Sequence, residues 1–216
     1  MPTEWRDGES RRLFVDEMGV PVRNRRVRGE RGATLVESAL ITPVLLLFVF
    51  GIFEFGFAFR DYLGVSNIVR DAAREASVAG NATDADYRIL RAVQRAGAAL
   101  PDDAIERLII FEATDATSTP HADCIAGTPR SSTQRCNVYD SSDFAIAEDE
   151  FKCDPAAPIP DPDRFYCPGD RDVIVGNLDY VGIWVQVTHT YITGLFGSSV
   201  TFTDQIILKL EPQDHA

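Results

Sequence analysis

Two carboxylates stand where a charge is hardest to place. Glu37 heads an apolar run, and Glu54 is the only ionisable residue from Ser38 to Phe59. In the first turn of a helix a carboxylate is favoured by unpaired amides and the helix dipole, which gives Glu37 a purely structural reading. Glu54 lies deeper in the run, where a charge is disfavoured unless it is paired or near an interface. It can reach outward toward Arg60 or meet a partner helix, and the sequence leaves both open. Ahead of Glu37 comes Gly32-Ala33-Thr34-Leu35-Val36. Ahead of that, Arg23, Arg25, Arg26, Arg28 and Arg31 crowd positions 21–32 against a single acid, Glu30.

Cys124, Cys136, Cys153 and Cys167 are the other chemical set. No two are spaced as a zinc site requires, and an exported position favours disulfides. Four cysteines permit three pairings. Cys124–Cys136 with Cys153–Cys167 is the expected one, because neighbours in sequence close small loops; each bridge contributes roughly 3 kcal/mol. Asp161, Asp163, Asp170 and Asp172 offer oxygens to a hard cation, but their spacing is not that of an EF-hand and Pro162 intrudes. A solvated acidic loop is the better reading. His121, His189 and His215 are scattered, with no nucleophile or metal ligand at a recognisable spacing. No phosphate loop, dinucleotide fingerprint or nucleophile elbow occurs, so nothing points to catalysis, a metal or a cofactor.

The elements that carry these residues follow from hydropathy and charge. Residues 33–59 are long and apolar enough for a transmembrane helix, and the arginines should keep its N-terminal end in the cytoplasm. A secretory signal would have a shorter apolar core and a small-residue cleavage site, so a retained anchor is expected. Residues 1–32 form a basic cytoplasmic leader with a net charge of +2, against −14 for the remainder of a chain whose total is −12. Met18 offers a second start that would keep all five clustered arginines. The acidic body argues against a nucleic-acid surface.

Residues 60–113 read as extracytoplasmic helices and a first strand. The anchor helix continues in amphipathic form, with Phe59, Leu63, Ser66, Val69, Ala73 and Ala76 on one face, to a stop at Gly80-Asn81. Pro43 should kink it locally. A second helix is expected from Asp84 to about Leu100, with Thr83 and Asp86 approximating a capping box. A strand follows at Ile105–Ala113. Residues 114–170 are an acidic loop rich in Cys and Pro. In the C-terminal β-hairpin region, 171–216, order returns at Asp172–Val175. Val181, Ile183, Val185 and Val187 then alternate with polar or small residues in one strand, and Val200–Leu210 forms another, interrupted by Asp204. Helices followed by strands give an α+β domain on a membrane helix, with a small antiparallel sheet.

The string Arg31-Gly32-Ala33-Thr34-Leu35-Val36-Glu37-Ser38-Ala39-Leu40, with Pro43 and Gly51-Ile52-Phe53-Glu54-Phe55-Gly56, resembles the TadE-like family. These are minor pilins or pseudopilins of the tight-adherence (Flp) pilus system. The resemblance covers residues 31–75 and implies a pilin-like architecture in the bacterial cytoplasmic membrane. It also implies cutting between Gly32 and Ala33 by a prepilin peptidase, with Glu37 becoming the fifth residue of the mature chain. Glu37 would then pair with the new amino group on Ala33 of a neighbouring subunit. Implied partners are a major pilin, another minor pilin, the prepilin peptidase, the inner-membrane assembly platform and membrane lipid. A single-pass anchored extracellular binding protein is the alternative, in which the loop at 114–170 carries the specificity.

Overall fold

The computed structural model describes residues 30–101, 103–128, 132–154 and 161–213. Arg23, Arg25, Arg26, Arg28, the alternative start Met18, and His215 lie outside the described residues. The chain divides into two units, Met1–Phe48 and Val49–Ala216, and helix α1 (Glu30–Ala79) contributes to each.

In the first unit α1 leaves every described side chain exposed, including Leu40, Ile41, Leu45 and Phe48. Such a surface is unfavourable in water and suited to hydrocarbon. Among the described residues, α1 is the one helix long and apolar enough to cross a membrane. Pro43 lies inside it, and beside Pro43 the Thr42 hydroxyl donates to the Ser38 carbonyl at 2.6 Å. A back-bond of this kind bends helices locally.

The second unit holds the remainder of α1, helix α2 (Ala85–Ala96) and four strands: β1 (Ile105–Ala113), β2 (Cys136–Tyr139), β3 (Tyr180–Thr190) and β4 (Ser199–Lys209). A short helical turn, α3 (Ala122–Ile125), separates β1 from β2. The sheet order is β2-β1-β3-β4, with every neighbouring pair antiparallel. The fold is therefore α+β: a long apolar N-terminal helix, a second helix and a small antiparallel sheet.

One face of the sheet carries Leu108, Ile110, Tyr139, Ile183, Val185 and Val187, which share a core with the apolar faces of α1 and α2. Small residues dominate the α1 side, where Ala58, Ala72, Ala73, Ala76 and Ala79 are at most 5% exposed. They let the helix lie close to its neighbours. The opposite sheet face has its own smaller core of Ile109, Phe111, Trp184, Cys124 and Cys136. Gly182 is dictated there, because a Cβ at this position would fall 2.1 Å from the ring of Phe111, its partner across the ladder.

Several boundaries differ from the sequence-based expectation. The expected face of α1 is rotated at its start: Phe59 and Leu63 are 61% and 48% exposed, while Ala58, Asp61 and Val65 are buried. Asp61 turns inward because it has a buried partner, described below. Helix α2 ends at Ala96 rather than Leu100, where Gly97 packs so closely on Ile105 and Ile68 that a Cβ would meet them at 3.0 and 3.3 Å. No capping box forms, since Asp84 is the N-cap and Asp86 is drawn into the core. Strand β2 arises inside the stretch expected to be a loop. At Asp172–Val175 the chain is ordered as a turn, in which Asp172 accepts from the Ile174 amide at 2.9 Å.

Candidate functional site

Gly32, Ala33 and Glu37 lie in α1 and are all exposed. A Cβ added at Gly32 would meet nothing within 4 Å. Because the described part of α1 already includes Glu30, Glu37 sits about two turns or more inside it and not in its first turn. Dipole stabilisation fades within the first turn, so it does not account for Glu37 in the uncut chain.

Seventeen positions along the helix, Glu54 is 1% exposed. Its carboxylate accepts from two successive amides of the β3–β4 connection, Ile192 at 3.0 Å and Thr193. The structure thus gives this acid a partner in its own chain. Phe196 from the same connection lies over Gly51 and packs against Phe55, with ring centroids 5.0 Å apart.

Two helical turns on, Asp61 and His189 form a buried pair, 3% and 7% exposed. His189 Nδ1 lies 2.7 Å from Asp61 Oδ2, while Arg60 donates to Asp61 Oδ1 through Nε and Nη2 at 2.9 and 2.8 Å. The second imidazole nitrogen is buried with no hydrogen-bond partner. The group lines a cleft of about 650 Å³ that also includes Phe57, Asp103 and Glu106. Ser66, farther along α1, donates to Asp204 of β4 at 2.6 Å, so the acid that interrupts the β4 pattern also holds this helix.

Residues 32–74 match a family model described as TadE-like protein. The similarity to TadE-like proteins is confined to this segment. No curated protein and no solved structure matches the chain. The TadE-like segment contains Gly32, Ala33, Glu37, Glu54 and Asp61, and ends within α1; the sheet lies wholly beyond it.

Beyond residue 74 a buried polar cluster joins α2 to β2. Asp86 is wholly buried and accepts from Asn137 Nδ2 and the Tyr139 hydroxyl, each at 2.7 Å, and from Arg171. Burial and the Asp86 charge push the Tyr139 phenol well above its ordinary range. Asn137 in turn accepts from the Phe165 and Tyr166 amides at 3.1 and 2.9 Å and donates to the Tyr166 carbonyl at 2.9 Å. One buried amide therefore ties β2 to residues 165–166. Cys124 is bonded to Cys136, and Cys153 to Cys167.

The four aspartates weighed as cation ligands are spread over separate tasks. Asp161 accepts from the Asp154 amide, and Asp163 from the Cys153 amide at 3.0 Å. Asp170 pairs with Arg135 at 3.1 Å, and Asp172 holds its own turn. Among the described residues no group of three or more His, Cys, Asp or Glu side chains could hold a metal ion.

Sequence reasoning gave no buried pairing to Asp61, Asp86 or His189: it read Asp86 as part of a capping box and His189 as one of three scattered histidines. A signal existed for His189: continuing the alternation Val181, Ile183, Val185, Val187 places it on the buried face. Asp61 likewise falls between Ala58 and Val65 at helical spacing. Asp86 carried no such mark, because its partners come from positions 137, 139 and 171.

Proposed function

We propose that this protein is a non-catalytic, membrane-anchored component of a tight-adherence (Flp) pilus system, acting as a minor pilin or pseudopilin in assembly or anchoring. The observation that carries this reading is the TadE-like match over residues 32–74, which spans the glycine–glutamate motif and an exposed apolar helix. A prepilin peptidase cuts between Gly32 and Ala33. That cut brings Glu37 from the interior of α1 to about one turn from the N-terminus of the mature helix. There it pairs with the Ala33 amine of a neighbouring subunit, since in lipid neither charge is stable alone. The clustered arginines keep the leader in the cytoplasm, and the folded domain lies on the other side of the bacterial membrane. Its partners are a major pilin, another minor pilin, the peptidase, the assembly platform and the surrounding lipid.

Glu37→Ala tests the proposal. Glu37 is exposed and belongs to the first unit, so the variant should fold and fractionate with membranes as the wild type does. It should be missing when the pilus machinery is isolated from the native host. Incorporation at the wild-type level would overturn the assembly role of Glu37.

A further inference from the structure

We infer that the β3–β4 connection, residues 191–198, is a second membrane-contacting element that lies in the outer interfacial layer of the bilayer beside α1. The inference rests on the reading of α1 as a transmembrane helix. No Asp, Glu, Lys, Arg or His occurs from Tyr191 to Thr203. At the tip, Ile192 is 75% exposed, Leu195 56% and Phe196 40%. The tip is fixed to α1 at Gly51, Glu54 and Phe55, all within the apolar run that ends at Phe59. Gly51 precedes Phe59 by eight helical residues, a rise of about 12 Å. If α1 is embedded as far as Phe59, the tip is carried below the level of Arg60, and its apolar side chains meet acyl chains.

The backbone chemistry fits that depth. Irregular backbone is tolerated near hydrocarbon only when its polar groups are satisfied. Glu54 takes the Ile192 and Thr193 amides, the Ser198 carbonyl takes the Tyr191 amide at 3.0 Å, and the Thr193 hydroxyl takes the Leu195 amide at 3.3 Å. Gly194 and Gly197 have φ of +67° and +118°, so the chain reverses tightly without a penalty from side chains. Glu54 is thus a latch: its charge and the turn's amides solve each other's burial. Bilayer lipid is the committed occupant of the exposed tip, because the apolar surface of α1 that lipid must cover continues onto it.

The test uses the full chain in phosphatidylethanolamine–phosphatidylglycerol vesicles, with one nitroxide label on Leu195→Cys, Ile192→Cys, Phe53→Cys or Thr117→Cys. The native cysteines are all paired and do not compete for label. Collision with oxygen against a water-soluble nickel chelate then reports depth. Labels at 192 and 195 should favour oxygen several-fold, as Phe53→Cys does, while Thr117→Cys favours the chelate. A lipid signature at 53 with an aqueous one at 192 and 195 overturns the inference and leaves the transmembrane reading standing. Shielding of 192 and 195 from both reagents also overturns it, in favour of a protein occupant such as a second copy. An aqueous signature at 53 as well rejects the transmembrane reading itself, and the inference with it.

Discussion

Asp163 has one oxygen on the Cys153 amide and the other buried without a partner. Burial, and then the Asp86 charge, raise its carboxyl from 3.8 to about 6. A raised folded-state value means that the folded chain holds this proton more tightly than the unfolded one. The stabilisation is complete below about pH 3.8 and is lost as pH rises through about 6. Asp163→Asn keeps the acceptor and removes the ionisation. It should raise Tm at pH 7.5 by about 3 °C, the shift that about 1 kcal/mol gives a chain of this size, and change it little at pH 4.5. Scanning calorimetry at both pH values checks this. Arg171 is the opposite case, a buried cation whose counter-ion is Asp86. Arg171→Met strands that carboxylate and should lower stability by about 3–5 kcal/mol, measurable by urea unfolding. Neither effect was legible in the sequence: an acid and an arginine 85 positions apart carry no sign that they will share a core.

At the level of elements, the strongest constraint is the approach of β3 to β1 at Gly182. Gly182→Ala forces the Phe111 ring aside and should cost about 1–3 kcal/mol, read as a lower urea midpoint. The bridges act on the less regular part of the domain. Reduction should release about 3 kcal/mol per bridge, and a Cys124→Ser/Cys136→Ser chain should lose more than a Cys153→Ser/Cys167→Ser chain. The reason is that Cys124 and Cys136 also fill the second core, where each is wholly buried. Thermal melts of the two variants, oxidised, give the comparison. Strand β3 was legible because Val181, Ile183, Val185 and Val187 alternate with small or polar residues, β4 because Val200 and Phe202 begin the same pattern before Asp204 interrupts it, and α1 because its apolar run is long. Strand β2 was not, since four residues give no period and its place is set by a bridge and by the Asn137 side chain. The phase of α1 at its start was misread for a related reason. Large Phe59 and Leu63 look like core residues, and only a buried partner on another strand explains why Asp61 takes their place.

At the scale of the whole molecule, a segment whose apolar side chains are all exposed precedes a domain held together by its own polar and apolar cores. The long apolar helix was readable because its signal is local, a run from Ser38 to Phe59 with Glu54 as its one ionisable residue. What the domain touches was not readable, because its surface carries no comparable motif and the TadE-like match ends inside α1. The most direct test is the intact mass of the protein extracted from the membranes of its native host, with the peptidase active. A mature chain beginning at Ala33, with both bridges formed, is the expected result. A chain that retains residues 1–32 would contradict the pilin-like processing on which the proposed role rests.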